Sequence, residues 1–250
     1  MVSVIKWEIK KNLRLGTIAL WIFGLVLAYA CIRTNQNVSD TYADIFSKYY
    51  GLAPIMGIIM FTMFSGSFIL EYNSNMDGLI KASKSGTKQL ILSKFIANGI
   101  CASIVNVSVL ILIVLKAVFI FKFKGLDLPL KSLWYFGNSD SNITVLQMLL
   151  IVSITTILGS FLFAAIGLYL SSINEKATTP FIVGGIILGL PYLGLLPQVI
   201  TLNSPLYGMY SQLLVRYVAP ISSWIVFVGI VLVGTTILYN LTKKSFVKER

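Results

Sequence analysis

The residues of this 250-residue chain that could do chemistry gather in one stretch, 71–94. There Glu71, Asp77, Lys81, Lys84, Lys88 and Lys94 interrupt two long apolar runs. Charges at this spacing, around the turn Ser83-Lys84-Ser85-Gly86-Thr87-Lys88, suit docking against a soluble partner rather than bond-breaking. Elsewhere the usual catalytic groups are missing. The chain has no histidine, which removes the common general base, the Ser-His triads and most zinc sites. Cys31 and Cys101 lie near opposite faces of the predicted bundle, so they neither bridge nor complete a metal site, and both read as small buried apolar residues. No phosphate loop Gly-x-x-x-x-Gly-Lys-Ser/Thr occurs, and Gly86-Thr87-Lys88 matches only its tail. No carboxylate falls inside an apolar run, which argues against a proton relay. Sodium coupling through backbone carbonyls at a broken helix stays open. The chain reads as a non-enzyme with no cofactor of its own.

The elements that position these charges follow from hydropathy. Hydrophobic residues make up 56% of the chain and charged residues only 12%, about half the charge of a soluble domain. Six runs, at 15–32, 51–70, 95–121, 145–170, 179–200 and 221–239, approach the roughly 20 residues that cross a bilayer core as helix. The predicted fold class is an all-α polytopic membrane protein: an interfacial helix over 1–14, then a six-helix transmembrane domain over 15–250. The net charge of +11 does not signal nucleic acid, because the basic residues sit at the ends of apolar runs. With both termini inside, 13 basic residues face the cytoplasm and 7 lie outside or at outer helix ends. Segments 71–94 are then inside, and 33–50 and 122–143 outside. Ala28-Tyr29-Ala30 has the form of a signal cleavage site, but its run continues to Ile32 and reads as a retained span. Sixteen lysines against four arginines, with abundant Ile and Asn, suggest a bacterial cell membrane.

Within the runs a few residues stand out. Val2, Ile5, Ile9 and Leu13 share one face of the first helix, with Lys6, Lys10 and Lys11 off it. Met56, Met60 and Met63 form a stripe suited either to core packing or to varied apolar ligands. Asn98 and Asn106 are expected to bond across helices, and Lys116, near an outer end, to snorkel. The fifth run carries Gly184, Gly185, Gly189, Pro191, Gly194 and Pro197. Proline at depth frees carbonyls that protein or water must satisfy, so this run predicts a broken, cavity-lining or re-entrant helix.

In this arrangement the chain resembles the type-2 ABC transporter permease family, exporters with six-helix subunits. The likeness covers the whole length. Its most specific part is the inner loop, where Glu71 takes the family's acidic place and Gly78-Leu79 its glycine-led step. The Ser83–Lys88 turn follows, and Lys94 closes it. The family's usual proline is absent and lysine replaces arginine. The resemblance implies that Glu71, Asp77, Gly78, Leu79, Lys84, Lys88 and Lys94 couple the chain to a separate ATPase subunit, which binds the ATP. It also implies that Met56, Met60, Met63, Gly185, Gly189 and Pro191 border a transport path shared with a second permease subunit, in a homodimer or heterodimer. The expected cargo is hydrophobic or amphipathic, such as antimicrobial peptides or apolar antibiotics. The rival readings are a substrate-binding membrane subunit of a vitamin uptake system, which should show a polar outer pocket, and a non-transport accessory or sensor protein.

Overall fold

In lipid an apolar run must satisfy its own backbone, which a helix does within one segment. The computed structural model describes residues 2–33, 37–73, 78, 80, 82, 86–137 and 139–247. Its regular structure, among the described residues, is helix apart from one isolated bridge between Pro129 and Thr144. In chain order the helices are α1 (Val2–Asn12), α2 (Leu15–Cys31), α3 (Val38–Gly51), α4 (Ala53–Phe64), α5 (Ile69–Asn73) and α6 (Gly86–Phe121). Then follow α7 (Val145–Ile173), α8 (Thr178–Tyr192), three short helices α9 (Gln198–Leu202), α10 (Pro205–Met209) and α11 (Gln212–Arg216), and α12 (Ile221–Val247). A π turn over Ile230–Gly234 interrupts α12.

Three helices, α6, α7 and α12, are long and apolar enough to cross a membrane. Two bent pairs pass the same test only when joined: α1 with α2, at 67°, and α3 with α4, at 40°. Three to five crossings therefore stand where the sequence predicts six. The shortfall has local causes. The run 51–70 divides into α4, a turn and α5, and α4 has only 12 residues. The fifth run gives α8, whose 15 residues reach about 22 Å against a core of about 30 Å. Pro191 near its end and Gly194 at φ +67° then turn the chain into α9.

Three expectations are corrected. Segment 33–50 is not simply an outer loop: α3 buries Tyr42, Ile45, Phe46 and Tyr49. Asp40, Asp44 and Lys48 disguise it in hydropathy. The segment predicted as an inner loop over 71–94 gives way to helix earlier than 94, because α6 begins at Gly86 and runs for 36 residues, so Lys88 and Lys94 are helical. Cys31 is exposed, while Cys101 is buried as expected.

The core sits between α3, α4, α6, α7 and α10. Met56, Met60 and Met63 all point into it, and the Met60 sulfur accepts from Asn106 Nδ2 at 3.2 Å. The stripe thus serves the chain's own packing, the commoner of its two uses. Asn106 also reaches Ser160 Oγ on α7 at 3.3 Å. Lys116 does more than snorkel. Its Nζ donates to the carbonyls of Tyr29 (2.6 Å) and Ile32 (2.8 Å) and lies 4.2 Å from the Tyr29 ring. A cation there satisfies carbonyls that the end of α2 leaves unpaired.

Close approach of α4 and α8 depends on a missing side chain. A Cβ on Gly184 would lie 2.1 Å from the Phe61 ring, whereas one on the adjacent Gly185 meets nothing within 4 Å. Gly184→Ala should therefore lose about 1–3 kcal/mol by overpacking. Gly185→Ala should gain about 0.4–1 kcal/mol by restricting the unfolded chain. Thermal unfolding of the detergent-purified variants checks this; equal shifts would mean that α8 does not pack on α4 through Gly184.

Candidate functional site

A lysine almost never sits fully buried without partners, yet Lys94 on α6 has no exposed surface. Its ammonium carries three protons, and three groups receive them. The Glu8 carboxylate lies at 3.0 and 3.1 Å, the Ser67 carbonyl at 2.6 Å, and Glu71 Oε1 at 2.8 Å. Lys11 Nζ adds a second cation, 3.2 Å from the same Glu71 oxygen and 4.0 Å from Glu8. Two lysines and two glutamates form a neutral quartet whose side chains are at most 12% exposed.

Helical spacing builds it. Glu8 and Asn12 are four apart on α1, and Lys94 and Asn98 four apart on α6, so each pair shares a face. The two faces meet as rungs: Glu8 with Lys94, then the Asn12 amide donating to Asn98 Oδ1. The turn between α4 and α5 supplies the third wall. There Ser67 gives its carbonyl to both lysines and its hydroxyl to Asn98 Nδ2 at 3.1 Å. Lys94 also lies 5.3 Å from the Phe68 ring. From that turn, Phe68 N–H bonds Ser171 Oγ at 3.2 Å and Tyr72 OH bonds the Ser172 carbonyl at 3.1 Å, both on α7. The Phe68 and Phe246 rings, 5.2 Å apart, reach α12.

Electrostatics follow from this geometry. Burial pushes the Glu71 carboxyl up, but Lys94 and Lys11 beside it outweigh that and hold it below its usual 4.5. Burial and the like charge of Lys94 pull Lys11 below its usual 10.5, against the attraction of Glu8 and Glu71. Desolvating four charges is costly and is repaid only by mutual attraction at close range with complete hydrogen bonding. The arrangement fastens α1, α5 and α6 to one another.

The residues predicted for coupling divide accordingly. Glu71 and Lys94 come together in the quartet, while Gly78 and Lys88 are exposed. Asp77, Leu79 and Lys84 lie outside the described residues. Of the predicted path residues, Gly185 and Gly189 line an apolar cleft of about 270 Å³ with Gly57, Ile58 and Phe61 of α4. Pro191 is buried in α8, and the three methionines line no part of that cleft. Sequence reasoning missed Glu8, Lys11, Asn12 and Ser67. One signal was present: Glu8 is the only acidic residue among the first 39, on a helix whose other charges are all basic. Comparison of the chain with protein-family models, with curated proteins and with solved structures finds no match in any of the three.

Removing one partner of a buried pair strands the other, at about 3–5 kcal/mol. Glu8→Gln and Lys94→Met should each destabilise by that order. The double variant should lose less than their sum, because neither residue is then left uncompensated. Strict additivity in a thermal-unfolding cycle would show that the two do not interact. The quartet also sets an acid limit. Since the folded Glu71 carboxyl titrates below 4.5, its contribution is complete above that value and is lost as pH falls through the depressed folded pKa. Melting temperature measured from pH 7 to pH 3 should drop across that window, and Glu71→Gln should flatten the drop.

Proposed function

We propose that the chain is the membrane-spanning permease subunit of an ATP-driven exporter in a bacterial cell membrane, working with a separate ATPase subunit and a second permease subunit. The observation that carries this reading is the buried Glu8–Lys94–Glu71–Lys11 quartet at the roots of the inner loop. An ATPase seated on that loop would push on two roots already fastened to α1, and through Phe68 and Tyr72 to α7 and α12. Displacement at one surface loop then moves several helices together, as a switch between inward and outward forms requires. Glu71 and Lys94 act in this scheme as internal fasteners. The docking surface itself falls to Gly78, Lys88 and the residues between them.

Cargo selection falls to the apolar cleft of α4 and α8. Its walls bear almost no polar atoms, which favours a hydrophobic or amphipathic molecule, such as a peptide or an apolar antibiotic. Ile58 in its lining, and Ile182 and Ile186 elsewhere on α8, are about half exposed, apolar surface that a second subunit would cover. The methionine stripe takes no part.

With the partner ATPase co-expressed, vesicles should extrude a fluorescent amphipathic peptide when ATP is supplied. Gly78→Trp should lower that flux by about ten-fold, within the usual range of coupling free energies, while insertion and folding persist. Full ATP-dependent flux in this variant would sink the coupling assignment. A chain that never co-purifies with an ATPase would sink the permease reading as a whole.

A further inference from the structure

Among the described residues the quartet balances its own charge, two lysines against two glutamates. On the same helix and at its elbow with α2, Lys10 and Arg14 remain without an acidic partner among the described residues. Arg14 donates Nε to the Lys11 carbonyl at 3.0 Å, which holds the guanidinium at the elbow. These cations border two adjoining cavities that share Lys11 and Arg14. One, of about 600 Å³, runs under the elbow between α2 and the inner end of α4, past Gly16, Thr17, Leu20, Met63 and Gly66. The other, of about 420 Å³, opens beside Trp7, Lys10, Lys11 and Arg14. The larger falls within the range of small-molecule sites.

We infer that this elbow groove binds one anionic phospholipid from the leaflet in which α1 lies, the headgroup phosphate against Lys10 and Arg14 and the start of an acyl chain along α2 and α4. Three observations carry it. The charge left over at the mouth is positive, so the complementary group is an anion. The inner wall is largely apolar, so that anion bears a hydrocarbon tail. The placement is interfacial: α1 meets the membrane-directed α2 at 67°, and Trp7 is 70% exposed beside the cations, where indole rings favour the headgroup level. The N-terminus of α2 has no side-chain cap, and its dipole adds to the field that the cations set up. Lys11 contributes little net charge, since both glutamates face it. This inference does not rest on the transport reading, because a lipid here would equally stabilise an accessory protein.

Native mass spectrometry of the detergent-solubilised full chain gives the test, with dioleoyl phosphatidylglycerol and dioleoyl phosphatidylcholine as probes. The wild type should retain one phosphatidylglycerol in preference to phosphatidylcholine. Arg14→Gln should lower its occupancy roughly five-fold, the factor for about 1 kcal/mol per basic residue at a lipid surface, and adding Lys10→Gln should lower it further. Gly16→Leu fills the groove without touching charge, and a Cβ there meets no atom within 4 Å; it should reduce occupancy as well. Thr62→Leu, on the opposite wall, serves if Gly16→Leu does not fold. Lys243→Gln with Lys244→Gln, exposed on α12, should leave occupancy unchanged. Three outcomes would overturn the inference: no preference for phosphatidylglycerol, an equal loss in the α12 variant, or loss on removing charge with none on filling the groove. The last two leave only diffuse attraction to a basic surface.

Discussion

The packing of α1, α5 and α6 against one another depends on seating the Lys94 ammonium where water cannot reach it. An ammonium without partners at such a site would be costly to bury. It stays because Glu8, Glu71 and the Ser67 carbonyl arrive from three directions at hydrogen-bond distance. That requirement orders the surrounding elements. It fixes the height and rotation of α1, demands a turn rather than a helix at Ser67, and places the loop roots side by side. A hydrophobic cluster of the same volume would pack as tightly, but it would permit sliding. Charge pairs at one register do not.

Much of the fold was legible because hydropathy is a strong signal for helices in lipid. The runs at 95–121, 145–170 and 221–239 correspond to α6, α7 and α12, with α6 beginning and α12 ending about two turns beyond the apolar part. Legibility failed where polar residues lie within packed helices. Asp40, Asp44 and Lys48 made α3 look like loop, although its aromatic residues at helical spacing build part of the core. It failed again where a run was long enough but conformationally broken. Proline and glycine in 184–197 announced the break without telling how short α8 would be.

The candidate site was half readable for a related reason. Glu71 and Lys94 stood out as charges beside apolar runs, but sequence distance hides the partners that neutralise them. Glu8 lies 86 positions from Lys94, and only the fold brings them together. A charge near a membrane reads first as surface, so docking was the natural expectation. Burial turns Lys94 into a fastener. The methionine stripe shows the converse: adaptable side chains on one helical face say nothing of whether that face meets a ligand or a neighbour, and here Met56 and Met60 meet α2 and α6 while Met63 borders the elbow groove.

The π turn in α12 has a consequence for its phase. Phe227 and Phe246 are nineteen positions apart, and at about 100° per residue an unbroken α-helix would leave them about 100° out of alignment. The wider turn over Ile230–Gly234 accommodates roughly one additional residue and so winds back about that angle. Phe227 and Leu162 then share one buried cluster and Phe246 and Leu168 another, with Phe227 and Phe246 on a single side of α12. The turn acts as a vernier between these two patches.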